Sequence, residues 1–580
     1  MFKPKIILLI AKQTGLKENE VEKVLEIPPS FDLGDYAFPC FILSKKLKKN
    51  PNQIAEELKN KIKTDKEIEK IEVKGPYLNF FINKQKLAEH VINVNSSFGK
   101  QKQNQKIILE HTSVNPNASP HLGRARNSII GDSIYRVLSF LGNRVERHYY
   151  VNDVGKQIAM LALVFKERDK FDDLLKKYVQ ITKKIEKNPE LDKKVFSLLR
   201  KFEHKDGETI KLFNKIVDTA VTGQKKIFSS IGIEFDYFDY ESKYIEHGKK
   251  ILKELEKTGK LFKDRENRFV LDLKNTPLIR KLKSPVMVLT RSDGTGLYVL
   301  RDLAYTIEKC NKGKNIIILG EDQKVYFEQL REALKLLNKS YPEVVHYSFV
   351  LLKGIGKMST RRGEVVLLEE FLEYARKKAE EEIKRRKTTG NPLKVAIAAV
   401  KYAMLRNENN RNIIFDLEQS LNFEGNTGPY LQYSYARASS IVRKASKNIM
   451  FDVNQPINSK GNTNPYAKVT LTTGKSKILS KKIKLESKTK IPESLTNHEI
   501  SLLLKISKFP EIVELASKFM NPSIIANYSY ELAKTFNEFY HSCKVIGDKN
   551  EAFRLKLIDS FKITLKNSLY LLGIEVMEEM

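Results

Sequence analysis

The sequence predicts a multidomain α/β protein, with a Rossmann-type parallel-sheet domain between an N-terminal α+β domain and a C-terminal all-helical domain. Three observations predict this. A strand, a Pro/Asn-rich loop, an apolar-striped helix and a second strand follow one another between residues 107 and 151, which is the βαβ unit of a parallel nucleotide-binding sheet. Residues 1–98 mix helical spacing with a hairpin pattern, and residues 393–580 read almost wholly as helix. A chain of 580 residues also exceeds what one core organises, so three or four domains are expected.

In the first domain, Pro51 opens a helix with apolar residues at Ile54, Ala55 and Leu58. Residues 71–82 read as two strands around Gly75-Pro76. A polar connector from Lys100 to Lys106 leads to the strand Ile107-Ile-Leu109. The next helix places Ile129, Ile130, Ile134, Val137, Leu138 and Leu141 on its apolar side and ends at Gly142. The sheet domain is expected over 106–392, with a charged helical insertion near 160–235 and further strands near 286–289, 316–319 and 347–352. The helical domain, 393–580, is interrupted near 452–495 by an Asn-, Ser-, Thr-, Lys- and Gly-rich excursion.

Hydrophobic residues are 41% and charged residues 30%, an ordinary globular balance, but the net charge is +32. An enzyme for small neutral substrates has no need of that excess; a polyanion partner explains it, because Lys and Arg neutralise phosphates. The competing explanation is a compositional habit, since Lys, Ile and Asn are abundant throughout. Cys40, Cys310 and Cys543 have no neighbours at metal-ligand spacing, which argues against a zinc site and a disulfide framework; no metal-ligating residues are assigned. A reducing, cytoplasmic setting is expected. The apolar run Ile6 to Ala11 is too short to span a membrane.

Two motifs carry chemistry. His121-Leu-Gly-Arg124 stands at the mouth of the long helix, where free N–H groups and partial positive charge suit phosphate. His121 can donate to a phosphoryl oxygen, Gly123 admits a close approach, and Arg124 adds permanent charge. Lys357-Met-Ser-Thr-Arg-Arg-Gly363 follows the last strand, and its cations at 357, 361 and 362 suit a triphosphate. Each alone also reads as an ordinary cap or a solvated basic loop.

Together they resemble the paired signature of class I aminoacyl-tRNA synthetases. The surrounding segments resemble the arginyl-tRNA synthetases: Ile108-Leu-Glu-His-Thr-Ser-Val-Asn-Pro-Asn117, Asn127-Ser-Ile-Ile-Gly-Asp132, Tyr149-Tyr-Val-Asn-Asp-Val-Gly-Lys-Gln157, Arg291 to Asp302 and Gly320-Glu-Asp-Gln323. Leu33-Gly-Asp-Tyr-Ala37 resembles that family's N-terminal tRNA-binding domain. Asn426 to Tyr433 and Leu571-Leu-Gly-Ile-Glu575 resemble its anticodon-binding domain, so the likeness spans nearly the whole chain.

The resemblance implies ligation of L-arginine to tRNA(Arg) through an arginyl-adenylate, with ATP as substrate, Mg2+ accompanying it, and activation that requires the RNA. It implies that Asn117, His121, Gly123, Arg124, Gly320, Asp322, Lys357 and Met358 hold ATP, with catalytic roles at His121, Gly123, Arg124, Lys357, Ser359 and Arg361. It also implies an arginine site of Glu110, Asn115, Tyr298, Asp302 and Gln323. Within that set, Asp302 and Tyr298, four residues apart, are expected to face the guanidinium, which needs fixed carboxylates and planar acceptors. Glu110, Asn115 and Gln323 are expected at the backbone end of the substrate. Asp302 pairing with Arg301 or capping a helix, and Gln323 as a plain strand-end residue, stay open.

For RNA, Tyr430, Tyr433 and Tyr435 interleave with Arg437, Arg443 and Lys444, a pattern that stacks bases and holds phosphates. Tyr36 and Phe38 are candidates for the elbow of the transfer RNA. These aromatics read equally well as packing residues. Two departures from the class pattern stand out. Arg124 occupies a place where many members carry histidine, and Thr360 stands where a second lysine is common. Ala118 and Ser119 do not supply a substitute lysine, which leaves Arg361 or Arg362. A cysteinyl relative would show zinc-ligand cysteines, and a glutamyl relative a basic amino-acid pocket. A non-catalytic RNA-binding paralogue would have lost a signature. A monomer is expected.

Overall fold

The computed structural model describes residues 2–28, 30–117, 119–352, 366–452 and 489–580. At its centre lies a five-stranded parallel sheet in the order Glu343–Tyr347, Lys314–Gly320, Lys106–Glu110, Arg144–Val151, Tyr237–Tyr240. In chain order this is 5-4-1-2-3, so the winding reverses between Lys106–Glu110 and Lys314–Gly320. Open α/β sheets place ligands at that reversal, outside the carboxyl ends of the strands. The first strand belongs at the centre because Ile107, Ile108 and Leu109 are apolar on both faces, and all three are buried.

Two strand expectations are corrected. Val286–Val288 is not in the parallel sheet; it closes a separate antiparallel sheet with Leu261–Lys263 and Phe269–Asp272. The run expected over 347–352 is two strands, Glu343–Tyr347 in the main sheet and Val350–Leu352 paired in parallel with Ile413–Phe415. The third sheet strand, Tyr237–Tyr240, escapes sequence reading because it is a short edge strand of aromatic and acidic residues.

Before the sheet domain, Tyr36–Pro39, Tyr77–Ile82 and Ile68–Lys74 form an antiparallel sheet flanked by helices. Helices Lys156–Ala162, Phe171–Lys187, Pro189–Glu203 and Gly207–Ser230 pack on one another between the second and third strands of the main sheet. The predominantly helical part begins at Leu368, ahead of residue 393, and is interrupted by the strand Ile413–Phe415. Leu368–Arg385 packs on Pro392–Leu405, because Phe371, Leu372, Ala375 and Ala379 form a buried stripe. Among the described residues, no helix is long and apolar enough to cross a membrane.

The helix Leu122–Phe140, which carries the first motif, is clamped from behind by the C-terminal domain. Ser133 Oγ donates to the Leu571 carbonyl at 2.8 Å, and buried Lys401 donates to the Gly573 carbonyl at 2.8 Å. Lys401 Nζ lies 3.7 Å from Asp132 Oδ2, which also accepts from Arg136 Nε at 2.8 Å. Gly573 has φ +66°, and a Cβ there would lie 2.6 Å from Lys401 Nζ and 2.7 Å from Asp132 Oδ2. Gly573→Ala therefore meets both backbone strain and a clash with a buried ion pair. It is expected to lower unfolding stability by about 2 kcal/mol or more, measured by denaturant melt.

Candidate active site

His121 is the N-cap of Leu122–Phe140, and its Nδ1 accepts the Arg124 backbone N–H at 3.3 Å. An acceptor at Nδ1 assigns the ring proton to Nε2, which is then a donor. Burial, helped by the neighbouring Arg124 charge, lowers the imidazole pKa to about 4. The ring is therefore neutral at physiological pH and presents one N–H at a helix N-terminus. Gly123 and Arg124 lie in the first turn, partly exposed.

Lys357, Met358, Ser359 and Arg361 lie outside the described residues, as do Thr360 and Arg362 and most of the 452–495 excursion. Chain on both sides of residues 353–365 is fixed to the first motif. Downstream, Leu122 N–H donates to the Val366 carbonyl at 3.0 Å and Leu368 N–H to the Pro120 carbonyl at 2.9 Å. Upstream, Arg126, fully buried in the same helix as His121, donates to the carbonyls of Ser348 at 2.6 Å, Arg411 at 2.7 Å and Glu408 at 3.0 Å. The described chain on either side of that segment is thus held against the helix that carries the first motif.

The loop after the first strand is held in strained backbone, with φ +82° at Thr112 and +39° at Ser113. Asn127 fixes it across the sheet reversal: its Oδ1 accepts from Thr112 N at 2.7 Å, and its Nδ2 donates to the Ile318 carbonyl at 2.9 Å. Gly131 is needed one turn on, because a Cβ there would stand 2.3 Å from the buried His111 ring. Gln224, from the helical insertion, donates to the Asn115 carbonyl at 3.0 Å and accepts from Tyr149 Oη at 2.8 Å. The insertion therefore helps to shape the site. Asn115 is exposed and Asn117 is buried.

Beside this loop lies an acidic slot. Asp302 Oδ2 accepts from Tyr326 Oη at 2.5 Å. Burial raises the Asp302 carboxyl pKa to about 6; the Tyr326 hydrogen bond opposes the shift and the Glu110 charge adds to it. Arg301 does not pair with Asp302. Its Nε donates to buried Glu241 at 2.6 Å, and Nη1 donates to the Gly296 carbonyl at 3.0 Å. Burial raises Glu241 to about 7 despite that arginine. Glu110, expected to be open to substrate, pairs through Oε2 with buried Lys309. Tyr298 is 52% exposed and leans on the Tyr326 ring, with centroids 5.3 Å apart. Gly320 ends the fourth strand, and Asp322 and Gln323 follow in a single helical turn, Asp322 exposed and Gln323 partly buried.

Tyr150, Glu241, Lys309 and Tyr326 belong to this slot and were not singled out from the sequence. Only Lys309 had a usable signal, standing seven residues after Asp302 and hence near its helical face. Among the described residues, no three His, Cys, Asp or Glu side chains converge as a metal-ligand set.

Residues 86–417 match the family described as the catalytic domain of class I tRNA synthetases (R), residues 5–82 the arginyl-tRNA synthetase N-terminal domain, and residues 473–580 the DALR anticodon-binding domain. An arginine–tRNA ligase of Methanocaldococcus jannaschii is 36% identical over 96% of this chain and 95% of its own length. One from Clostridium perfringens is 32% identical over 98% of each. The chain belongs to the arginyl-tRNA synthetase family. The fold agrees with a Thermus thermophilus arginyl-tRNA synthetase structure at TM-score 0.78 and 26% identity, covering 100% of this chain and 99% of that one. Joining arginine to transfer RNA is the activity that this membership carries.

Arginyl-tRNA synthetases must also hold RNA, and here two expectations are corrected. Tyr36 and Phe38 are buried: Phe38 is core, while Tyr36 Oη donates to Glu511 at 2.8 Å beneath Lys508, whose Nζ is 3.5 Å from the ring centroid. All four residues of Tyr36–Pro39 are buried, and Tyr36 is covered by Glu511 and Lys508 of the C-terminal domain, which leaves neither ring open to a base. In the helical domain Tyr435 is also buried and bonds to Glu578 at 3.0 Å. Tyr430 Oη accepts from Asn537 at 2.9 Å. Tyr433 stays partly exposed, with the Arg437 guanidinium 4.8 Å from its ring centroid and 5.5 Å from that of Tyr540. Arg443 and Lys444 are exposed, Arg443 beside Glu579. Tyr540, absent from the sequence candidates, extends this aromatic and cationic face.

Proposed function

We propose that the chain activates L-arginine with ATP and transfers it to tRNA(Arg), using the two motifs and the acidic slot around Asp302. An arginine carboxylate oxygen attacks the α-phosphorus of ATP, and the bond to the bridging oxygen breaks with release of pyrophosphate. The terminal-adenosine 2′-hydroxyl then attacks the adenylate carbonyl, loses its proton, and AMP leaves. The protein supplies position and charge and no nucleophile.

In this reading His121 Nε2–H and Arg124 contact the phosphates, with Asn117, Gly123, Gly320 and Asp322 shaping the nucleotide site. Lys357, Met358, Ser359 and Arg361, which lie outside the described residues, are assigned to the phosphates as well. Asp302, Tyr326 and Tyr298 take the guanidinium; Glu110, Asn115 and Gln323 set the backbone end. Tyr433, Arg437, Arg443 and Lys444 meet the anticodon arm, with Tyr430 behind them. We divide the chain at 1–98, 106–392 and 393–580, and place it as a monomer in the cytoplasm, a setting that suits three cysteines without disulfides.

The observations that carry this reading are a partly buried carboxylate, Asp302, met by Tyr326 and by no cation among the described residues, and a neutral histidine at the N-terminus of Leu122–Phe140. A guanidinium fits such a carboxylate, whereas citrulline leaves it unpaired. ATP–pyrophosphate exchange with each amino acid, with and without transfer RNA, tests it. Arginine alone is expected to support exchange, and only when the RNA is present. No arginine-dependent exchange under either condition overturns it.

A further inference from the structure

We propose that Lys309 is a positioning residue for arginine, its ammonium neutralising Glu110 so that Asp302 is the carboxylate left for the substrate guanidinium. The inference rests on the arginine reading of the slot and goes beyond it. Lys309 stands in the helix Tyr298–Lys312 with its side chain only 2% exposed; it pairs with Glu110 Oε2 at the end of the first strand and lies 3.9 Å from the Tyr305 ring centroid. A buried lysine at the sheet reversal is costly unless it is paired.

The acidic groups around it are already satisfied internally, with one exception. Glu241 takes Arg301 at 2.6 Å. Asp239, on the third strand, takes His148 Nδ1 and Tyr305 Oη, both at 2.6 Å. Glu110 takes Lys309. Among the described residues Asp302 has no cation in contact and is met by Tyr326, with Tyr150 of the second strand facing it. Tyr244 closes the same group, and the Glu110 charge reaches Asp302, Tyr150, Tyr305 and Tyr244 alike. An unneutralised Glu110 would therefore favour the protonated form of Asp302 and so weaken a cation's partner.

The pairing also divides the work of Glu110. With Oε2 taken by Lys309, Oε1, which makes no hydrogen bond among the described residues, is the acceptor left over. The substrate then meets one full carboxylate for its guanidinium and half of another for its ammonium group.

Titration calorimetry of the full chain with L-arginine at about pH 6.5 and about pH 8.5 tests this. Wild type and Lys309→Arg are expected to change affinity by less than about threefold between the two. Lys309→Met is expected to bind at least about tenfold more weakly at the lower pH, since the unneutralised Glu110 charge raises the Asp302 carboxyl further while arginine stays charged. The double variant Glu110→Gln/Lys309→Met, which buries no lone charge, is expected to return to the shallow profile even where Lys309→Met folds poorly. A shallow profile in Lys309→Met, or a steep one in the double variant, overturns the proposal while leaving the arginine site intact. A wild-type chain that does not bind arginine overturns both.

Discussion

Asp302→Asn is expected to weaken arginine binding by roughly two to three orders of magnitude, because it takes the charge from a partly buried carboxylate of the slot that has no cation in contact among the described residues. Breaking one side of a buried ion pair costs about 3–5 kcal/mol, and about 1.4 kcal/mol is tenfold in affinity. Asparagine keeps the shape and one acceptor for Tyr326, so the fold should survive. Stability gives an independent check of sign. Burial raises the Asp302 pKa from 3.8 to about 6, so the folded state holds a proton that the unfolded state has released between those values. This group's contribution to stability therefore falls as pH rises through that window, and Asp302→Asn should flatten the decline. Arginine affinity runs the other way, since the guanidinium needs the ionised form. It should rise with pH up to about 6 and then level off, with arginine itself drawing the carboxyl toward ionisation. Calorimetry across that range measures both. Undiminished affinity in Asp302→Asn would place the guanidinium elsewhere.

His121→Ala is expected to reduce arginine-dependent exchange by about 10²-fold or more, with melting little changed. One preorganised donor aimed at developing charge is worth about 3–4 kcal/mol in comparable sites. The pH profile separates this role from general acid catalysis. Burial and Arg124 hold the imidazole pKa near 4, so the charged form appears only on acidification below that value, and Nε2–H is already present at neutrality. No rate change from His121 is expected between about pH 6 and pH 8. A break near 6.5 that disappears in His121→Ala would show a titrating imidazole instead.

The parts of the fold that announce themselves in sequence are those with one environment along their length. The strand ending at Glu110 is apolar on both faces, and the helix after His121 keeps its apolar spacing for five turns, so both are readable. Tyr237–Tyr240 is half exposed at a sheet edge, and Asp239 within it answers to His148 and Tyr305, partners supplied by other elements. Val286–Val288 has strand chemistry, but its partners are Phe269–Asp272, which no local pattern specifies. The acidic slot is legible to the same degree. Asp302 and Tyr298 share a helix face and are read together. Glu241 and Tyr326 reach the slot from distant segments, and Lys309 becomes meaningful only once Glu110 is known to lie across from it. Tyr36 and Phe38 show the opposite error: an aromatic pair in a basic chain suggests base stacking, and the neighbouring Glu511 and Lys508, far along the sequence, convert it to a domain junction.

The central claim is spatial: one crevice holds the triphosphate at a helix N-terminus, and the slot beside it holds a flat cation. A crystal structure of the chain with L-arginine and a non-hydrolysable ATP analogue tests it most directly. The predicted result has the guanidinium on Asp302 and a phosphate oxygen within hydrogen-bond reach of His121 Nε2. Arginine bound away from Asp302, or phosphates that make no contact with the first turn of Leu122–Phe140, would contradict it.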